Sequence, residues 1–153
     1  MNMLTEIPAN VKLRKYSSAG ILFAYPDGSS IVEFQSTSVA KTIRILASGS
    51  TRHRVDVQLL DAAAEIQELA KNEFAISPVQ PENIEPERFW KNERIIIHLR
   101  RLFLEGGRDM MIIETNFVQI ENRKYRIDYI VPREHYESGK WIFEVVTETL
   151  NNQ

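Results

Sequence analysis

The chain contains no cysteine. That excludes a disulfide framework, a zinc knuckle and a thiol nucleophile, and it is compatible with any redox compartment. Histidine is scarce. His53, His98 and His135 stand alone, with no HxxxH spacing, so each is expected on the surface rather than on a metal. There is no GxGxxG and no GxxxxGKS, which removes the phosphate loops; Gly106-Gly107 is expected to stop a helix. No internal repeat or low-complexity tract interrupts the pattern. No run approaches the ~20 apolar residues of a membrane span. The opening "MNMLTEIPANVKLRKY" lacks the apolar core of a signal peptide. The expectation is therefore a cytoplasmic chain with no membrane contact. A charge surplus is missing too. The net charge of −2 argues against a dedicated nonspecific nucleic-acid binder.

What is present is an ordinary globular composition, 43% hydrophobic and 26% charged over 153 residues, enough for one domain with its own core. Prolines 78, 81 and 86 lie in the polar stretch "ISPVQPENIEPERF". Proline removes a donor and biases its predecessor away from helix, so residues 78–85 read as a connector. It would join subdomains 1–77 and 86–153 of one domain.

In the first half, "GILFAYPDGSSIVEF" places apolar runs on both sides of Pro26-Asp27-Gly28. This predicts a hairpin of residues 20–25 and 30–34. "STSVAKTIRILASG" predicts a helix, with Ser36 or Thr37 as its N-cap, Val39, Ile43 and Leu46 on one face, and Gly49 after its end. Leu59, Ala63, Ile66 and Ala70 stripe a second helix over 55–74. In the second half, Glu85, Pro86 and Glu87 suit a helix start, and a helix is predicted over 86–105. Strands are predicted over 110–120, 124–131 and 140–147. The expected fold class is α+β: an N-terminal β-hairpin and two helices packed with a C-terminal α-β-β-β antiparallel meander.

On a helical wheel, Phe89, Ile96, Leu99 and Phe103 share one side and Trp90, Ile97 and Leu104 flank it. Glu93 and Arg100 fall inside this arc, where a buried charge needs a partner. The width of the arc predicts a protein partner or a homo-oligomer. By strand alternation, Asp128 and Glu144 each stand on the less aromatic face of their segment. Two carboxylates pressed together repel unless a cation relieves them, and a divalent metal would do so. The simpler reading makes them solvent-facing sheet residues, paired with Arg126 or Lys140. Short basic clusters, "RHR", "HLRR" and "NRKYR", offer Arg52, Arg54, Arg101, Arg123, Lys124 and Arg126 as candidate phosphate contacts.

A helix with a glutamate, then "RIDYIV", then "WIFEVV" resembles the metal-binding core of the PD-(D/E)XK nuclease superfamily over residues 86–147. The resemblance implies Asp128 and Glu144 as ligands of magnesium or manganese, with Glu93 as the supporting acid. The family's lysine, two residues after the second acid, is Val146 here, and no further helix and strand pattern follows. The primary reading is thus a non-enzymatic protein, without a cofactor, that binds another macromolecule. The alternative is a metal-dependent nuclease, or an inactive relative that binds nucleic acid.

Overall fold

The computed structural model describes residues 5–18, 20–35, 41–47, 52–61 and 63–152. It is α+β, with antiparallel sheets and two helices. The strands are β1 (Leu13–Ser18), β2 (Ile21–Pro26), β3 (Ser30–Phe34), β4 (Thr42–Leu46), β5 (Arg54–Leu60), β6 (Ile84–Lys91), β7 (Arg94–Glu105), β8 (Asp109–Ile120), β9 (Arg123–Pro132) and β10 (Asn151–Asn152). The helices are α1 (Ile66–Ala75) and α2 (Tyr136–Thr149). Seven strands form one sheet in the order β3-β4-β5-β9-β8-β7-β6, and β1-β2-β10 form a small second sheet.

Strand alternation divides the large sheet into two chemically different faces. Tyr125, Ile127, Tyr129 and Val131 of β9 join Ile43, Ile45, Val55, Val57 and the α2 residues Ile142, Phe143 and Val146 in the main core. The small sheet closes this core through Ile21 and Phe23. On the other face, Ile97, Leu99 and Phe117 pack against Ile66 and Ala70 of α1. Each such side chain taken out of water stabilises the fold by roughly 1.5–3 kcal/mol. The Pro-rich connector does not separate two units. β5, from the first half, pairs with β9 over seven residues, Arg54↔Ile130 to Leu60↔Lys124.

Several local expectations are corrected. Pro26-Asp27-Gly28 does make a turn, but β2 and β3 leave it for different sheets rather than pairing as a hairpin. The helix expected from Ser36 to Gly49 is β4 over 42–46, while Ser36, Thr37, Val39 and Gly49 fall outside the described residues. The helix over 55–74 is real only from Ile66; its first part is β5. The helix over 86–105 is a hairpin of β6 and β7, paired from Lys91↔Arg94 down to Glu87↔His98. β7 is apolar all round because a core lies on each side of it, and such a strand carries no period to tell it from a helix. Its β-branched Ile95-Ile96-Ile97 is the residue-level cue for strand. Gly106-Gly107 turns β7 into β8, with φ of 60° and 74°. The strand expected over 140–147 is α2, whose buried Tyr136, Gly139, Ile142, Phe143 and Val146 recur every three or four residues. Strands 110–120 and 124–131 stand as expected, as β8 and β9. No helix among the described residues is long and apolar enough to cross a membrane.

Candidate functional site

The second and third strands from the sheet's β6 end, β7 and β8, carry an unusual polar row. Glu114, Thr115 and Asn116 interrupt the apolar run of β8. Glu114 and Asn116 alternate onto the α2 face, opposite Arg100 and His98 of β7. Together with the β6–β7 hairpin and one side of α2 they bound a groove of about 600 Å3. Phe89, 47% exposed, stands at its mouth; Trp90, 70% exposed, follows it on β6 with its side chain toward the other face. Lys140 and Glu144 lie along its helical wall, with Phe143 beneath.

The floor is already hydrogen-bonded. Glu114 is buried, with His98 Nε2 at 2.7 Å from one carboxylate oxygen and the Tyr136 hydroxyl donating to the other at 2.6 Å. A carboxylate only accepts, so His98 carries its proton on Nε2. Burial pushes the Glu114 carboxyl up, but the bonds from His98 and Tyr136 outweigh it and hold the group below its usual range. Burial and the bond to Glu114 raise the Tyr136 hydroxyl in turn. At the inner end, Arg94 donates to the carbonyls of Thr147 (3.1 Å) and Leu150, which are orphan acceptors at the α2 C-terminus. Glu148 accepts from the Thr5 backbone (3.2 Å), the Thr5 hydroxyl (2.6 Å) and Lys91 (3.3 Å). Asn116 donates to the Thr147 hydroxyl at 3.1 Å. Its Oδ1 and the Nε of Arg94 are buried with no partner among the described residues.

The sequence-derived acids do not meet. Glu93 sits in the two-residue tip of the β6–β7 hairpin, exposed, with φ of 60°. Glu144 is on α2, 3.9 Å from Lys140. Asp128 is on the opposite face of the sheet, beside α1. There it accepts from Arg126 Nε at 2.9 Å and from the Thr115 hydroxyl. Arg126 also donates to Glu73 of α1 (3.0 Å), which takes a second bond from Arg101 (2.8 Å). The acid facing Asp128 across the strands is Asp56, bound by both arms of Arg44 at 2.8 and 2.9 Å. Paired carboxylates do need a cation, and here the cations are arginines. Among the described residues no group of three or more metal-ligating side chains converges. The helix-strand-strand-strand order behind the nuclease resemblance is replaced by hairpin, strand, strand and helix.

Nor do the basic candidates form one patch. Arg101 and Arg126 are locked on Glu73. Arg52 reaches Glu105 and Asp109, each at 3.2 Å, and Arg54 lies 3.9 Å from Asp56. Arg123 donates to the Gly20 carbonyl (3.1 Å) and Lys124 to that of Ala64 (2.8 Å), at the end of β9 remote from Arg54. His135 is exposed as expected. His53 is not a surface histidine: it is wedged under α2 against Gly139 and Tyr129. His98, expected on the surface, is instead largely buried against Glu114, while Glu114 and Asn116 went unnoticed in the sequence. Their signal was three consecutive polar residues inside an otherwise apolar strand.

No family model and no curated protein sequence matches this chain. Solved structures do. Cyanobacterial PsbP (CyanoP) from Synechocystis superposes with a TM-score of 0.65 at 16% identity, over 98% of this chain and 99% of that one. LpqN of Mycobacterium tuberculosis, involved in cell envelope biogenesis, gives 0.57 at 8% identity over 94% and 92%. A protein from Bacteroides thetaiotaomicron gives 0.64 at 15% identity over 91% of this chain, which spans about half of that protein's length (48%). At such identities the likeness establishes the fold alone.

Proposed function

We propose that this protein is a non-enzymatic binding module that seats a segment of a protein partner in the groove between α2 and the β6–β7 hairpin. The observation that carries the reading is the exposed aromatic ring of Phe89 above a floor whose acids are already engaged. Exposed aromatic residues beside a concave, partly apolar surface are what protein recognition uses. A general base needs a free lone pair and a pKa near the working pH. Glu114 has both oxygens occupied and a depressed pKa, which suits a fixed electrostatic floor better than a base. The fold itself is neutral on the matter, since one fold hosts many functions. LpqN's role in the envelope makes the cell envelope the compartment to test beside the cytoplasm.

Selection from a displayed random-peptide library tests the reading. Peptides that bind the folded chain should be recovered, and they should lose at least about tenfold in affinity to Glu144→Trp, which plugs the groove from the α2 wall. Recovery of no binding peptide, or binding indifferent to the plug, would sink it.

A further inference from the structure

The large sheet ends at β6, whose outer edge pairs with no other strand among the described residues. Such an edge is ordinarily blunted. Half of β6 is. Its register with β7 jumps between Ile84 and Glu87, a bulge that contains Pro86, and proline offers no N–H for pairing. The remaining stretch, Glu87-Arg88-Phe89-Trp90-Lys91, pairs regularly with β7, and its first four residues are exposed.

The tip fixes which backbone groups of this stretch face outward. Asn92 and Glu93 have φ of 51° and 60°, the signature of a two-residue type I′ turn. Such a turn closes on a hydrogen-bonded pair, here Lys91 and Arg94. Alternation then directs the N–H and C=O of Lys91, Phe89 and Glu87 to β7 and those of Trp90 and Arg88 outward. Phe89, opposite Ile96, and Glu87, opposite His98, carry their side chains on the α2 face; Arg88 and Trp90, opposite Ile97 and Ile95, carry theirs on the α1 face.

We infer that β6 pairs antiparallel with β6 of a second copy of this chain, about a two-fold axis through Phe89 and perpendicular to the sheet. That axis keeps each face on its own side, so only registers shifted by two residues compete. Centred on Phe89, the five-residue stretch is self-complementary. Phe89 meets Phe89 of the second copy as an aromatic pair, Arg88 meets Trp90, and Glu87 meets Lys91, the last two pairs occurring twice. The outward groups of Arg88 and Trp90 supply four ladder hydrogen bonds. Centring on Arg88 instead would oppose two arginines and draw Pro86 into the ladder. Centring on Trp90 would oppose Lys91 to Phe89 and run Arg88 into the turn. The inferred pairing makes one continuous sheet of fourteen strands. The two grooves then open on the same face, with the Phe89 pair as the ridge between them. It stands whether or not the groove binds a peptide.

Sedimentation velocity on the full chain, from micromolar to several hundred micromolar, reads the outcome. Wild type should be a reversible dimer. Glu87→Lys and Lys91→Glu should each weaken it by about tenfold or more, because each sets like charges opposite one another twice. An equimolar mixture of these two variants should recover the wild-type dimer, since the opposed charges then match again. That recovery also certifies that both variants are folded. Arg88→Pro removes an outward N–H without touching the β6–β7 ladder, and should leave monomer. A wild type that stays monomeric at every concentration overturns the inference. So does a dimer indifferent to Arg88→Pro, or a mixture that fails to associate.

Discussion

The two faces of the seven-stranded sheet bury comparable sets of charges and use them oppositely. On the α1 face, Asp128, Arg126, Glu73, Arg101 and Thr115 form a closed circuit in which every acid has a guanidinium. Burial works against the charge on Arg126, but Asp128 and Glu73 outweigh it and hold the guanidinium above its usual range. On the α2 face, Glu114, His98 and Asn116 lie on the floor of an open groove, where the Asn116 amide oxygen has no partner among the described residues. The first arrangement ties α1 to the sheet. The second leaves a polar floor open at the bottom of the groove. Residue type does not separate them; closure does.

Breaking the closed circuit should give the largest effect. Asp128→Asn leaves Arg126 with Glu73 as its one remaining acid and the Thr115 hydroxyl beside a neutral amide, and losing a buried charged hydrogen-bonding partner costs about 2–3 kcal/mol. Urea unfolding should show it as a lowered midpoint with an unchanged slope. A loss below about 0.5 kcal/mol would mean that the circuit is open to water.

Next in size is the seam between α2 and the sheet. Gly139 is buried, and a Cβ placed there would lie 1.8 Å from His53 Nε2 and 2.7 Å from the Tyr129 hydroxyl. Alanine normally favours a helix interior by about 1 kcal/mol over glycine. Gly139→Ala should instead destabilise by about 2 kcal/mol, as overpacking does. Pairing it with His53→Ala, which empties the contested space, should recover most of the loss in a double-mutant cycle.

These two sites also show what could be read in advance. β8 and β9 were legible because each carries β-branched and aromatic residues bounded by clear turns. β7 was not, because burial on both faces erases the period of two. α2 was misread because "WIFEVV" is rich in strand formers, whereas the spacing from Tyr136 through Gly139 to Val146 is helical; the packing of that face on the sheet overrode propensity. Asp128 belongs to the face that alternation gives it, but the expectation that it faces solvent is corrected: it is buried beside α1. Its partners, Glu73, Thr115 and Arg101, come from three other elements, and no spacing in one chain reveals such a meeting. Glu144 was paired with it only through the misassigned strand.

A smaller, pH-dependent effect distinguishes the faces further. The Glu114 and Glu73 carboxyls are both held below their ordinary range in the folded chain. A group depressed on folding stabilises fully above its unfolded pKa, about 4.3 for a glutamate, and loses that contribution as pH falls through the folded value. Stability should therefore decline below about pH 4.3. Glu114→Gln should remove part of that decline while costing about 1–2 kcal/mol at neutral pH, as for one charged hydrogen-bonding partner lost. An acid limb of unchanged steepness in this variant would mean that Glu114 is not the titrating group.

The smallest effect is expected at Glu144. Its side chain is 44% exposed, and its ion pair with Lys140 is a helical i,i+4 contact at 3.9 Å. Exposed pairs of this kind contribute about 0.3–0.5 kcal/mol. Glu144→Gln should thus move stability by no more than about 0.5 kcal/mol, and high salt should reduce even that. The double variant Asp128→Asn, Glu144→Gln should then show a loss equal to that of Asp128→Asn within about 0.5 kcal/mol, because sites on opposite faces with no shared partner add. The same comparison run with manganese present reads the metal directly. A cation held jointly by the two acids would raise the wild-type melting temperature and couple the two substitutions, since a ligand bound only to the folded state stabilises it by mass action. With Asp128 saturated by Arg126 and Thr115 beside α1, and Glu144 beyond the sheet on α2, the two should remain uncoupled with or without the ion.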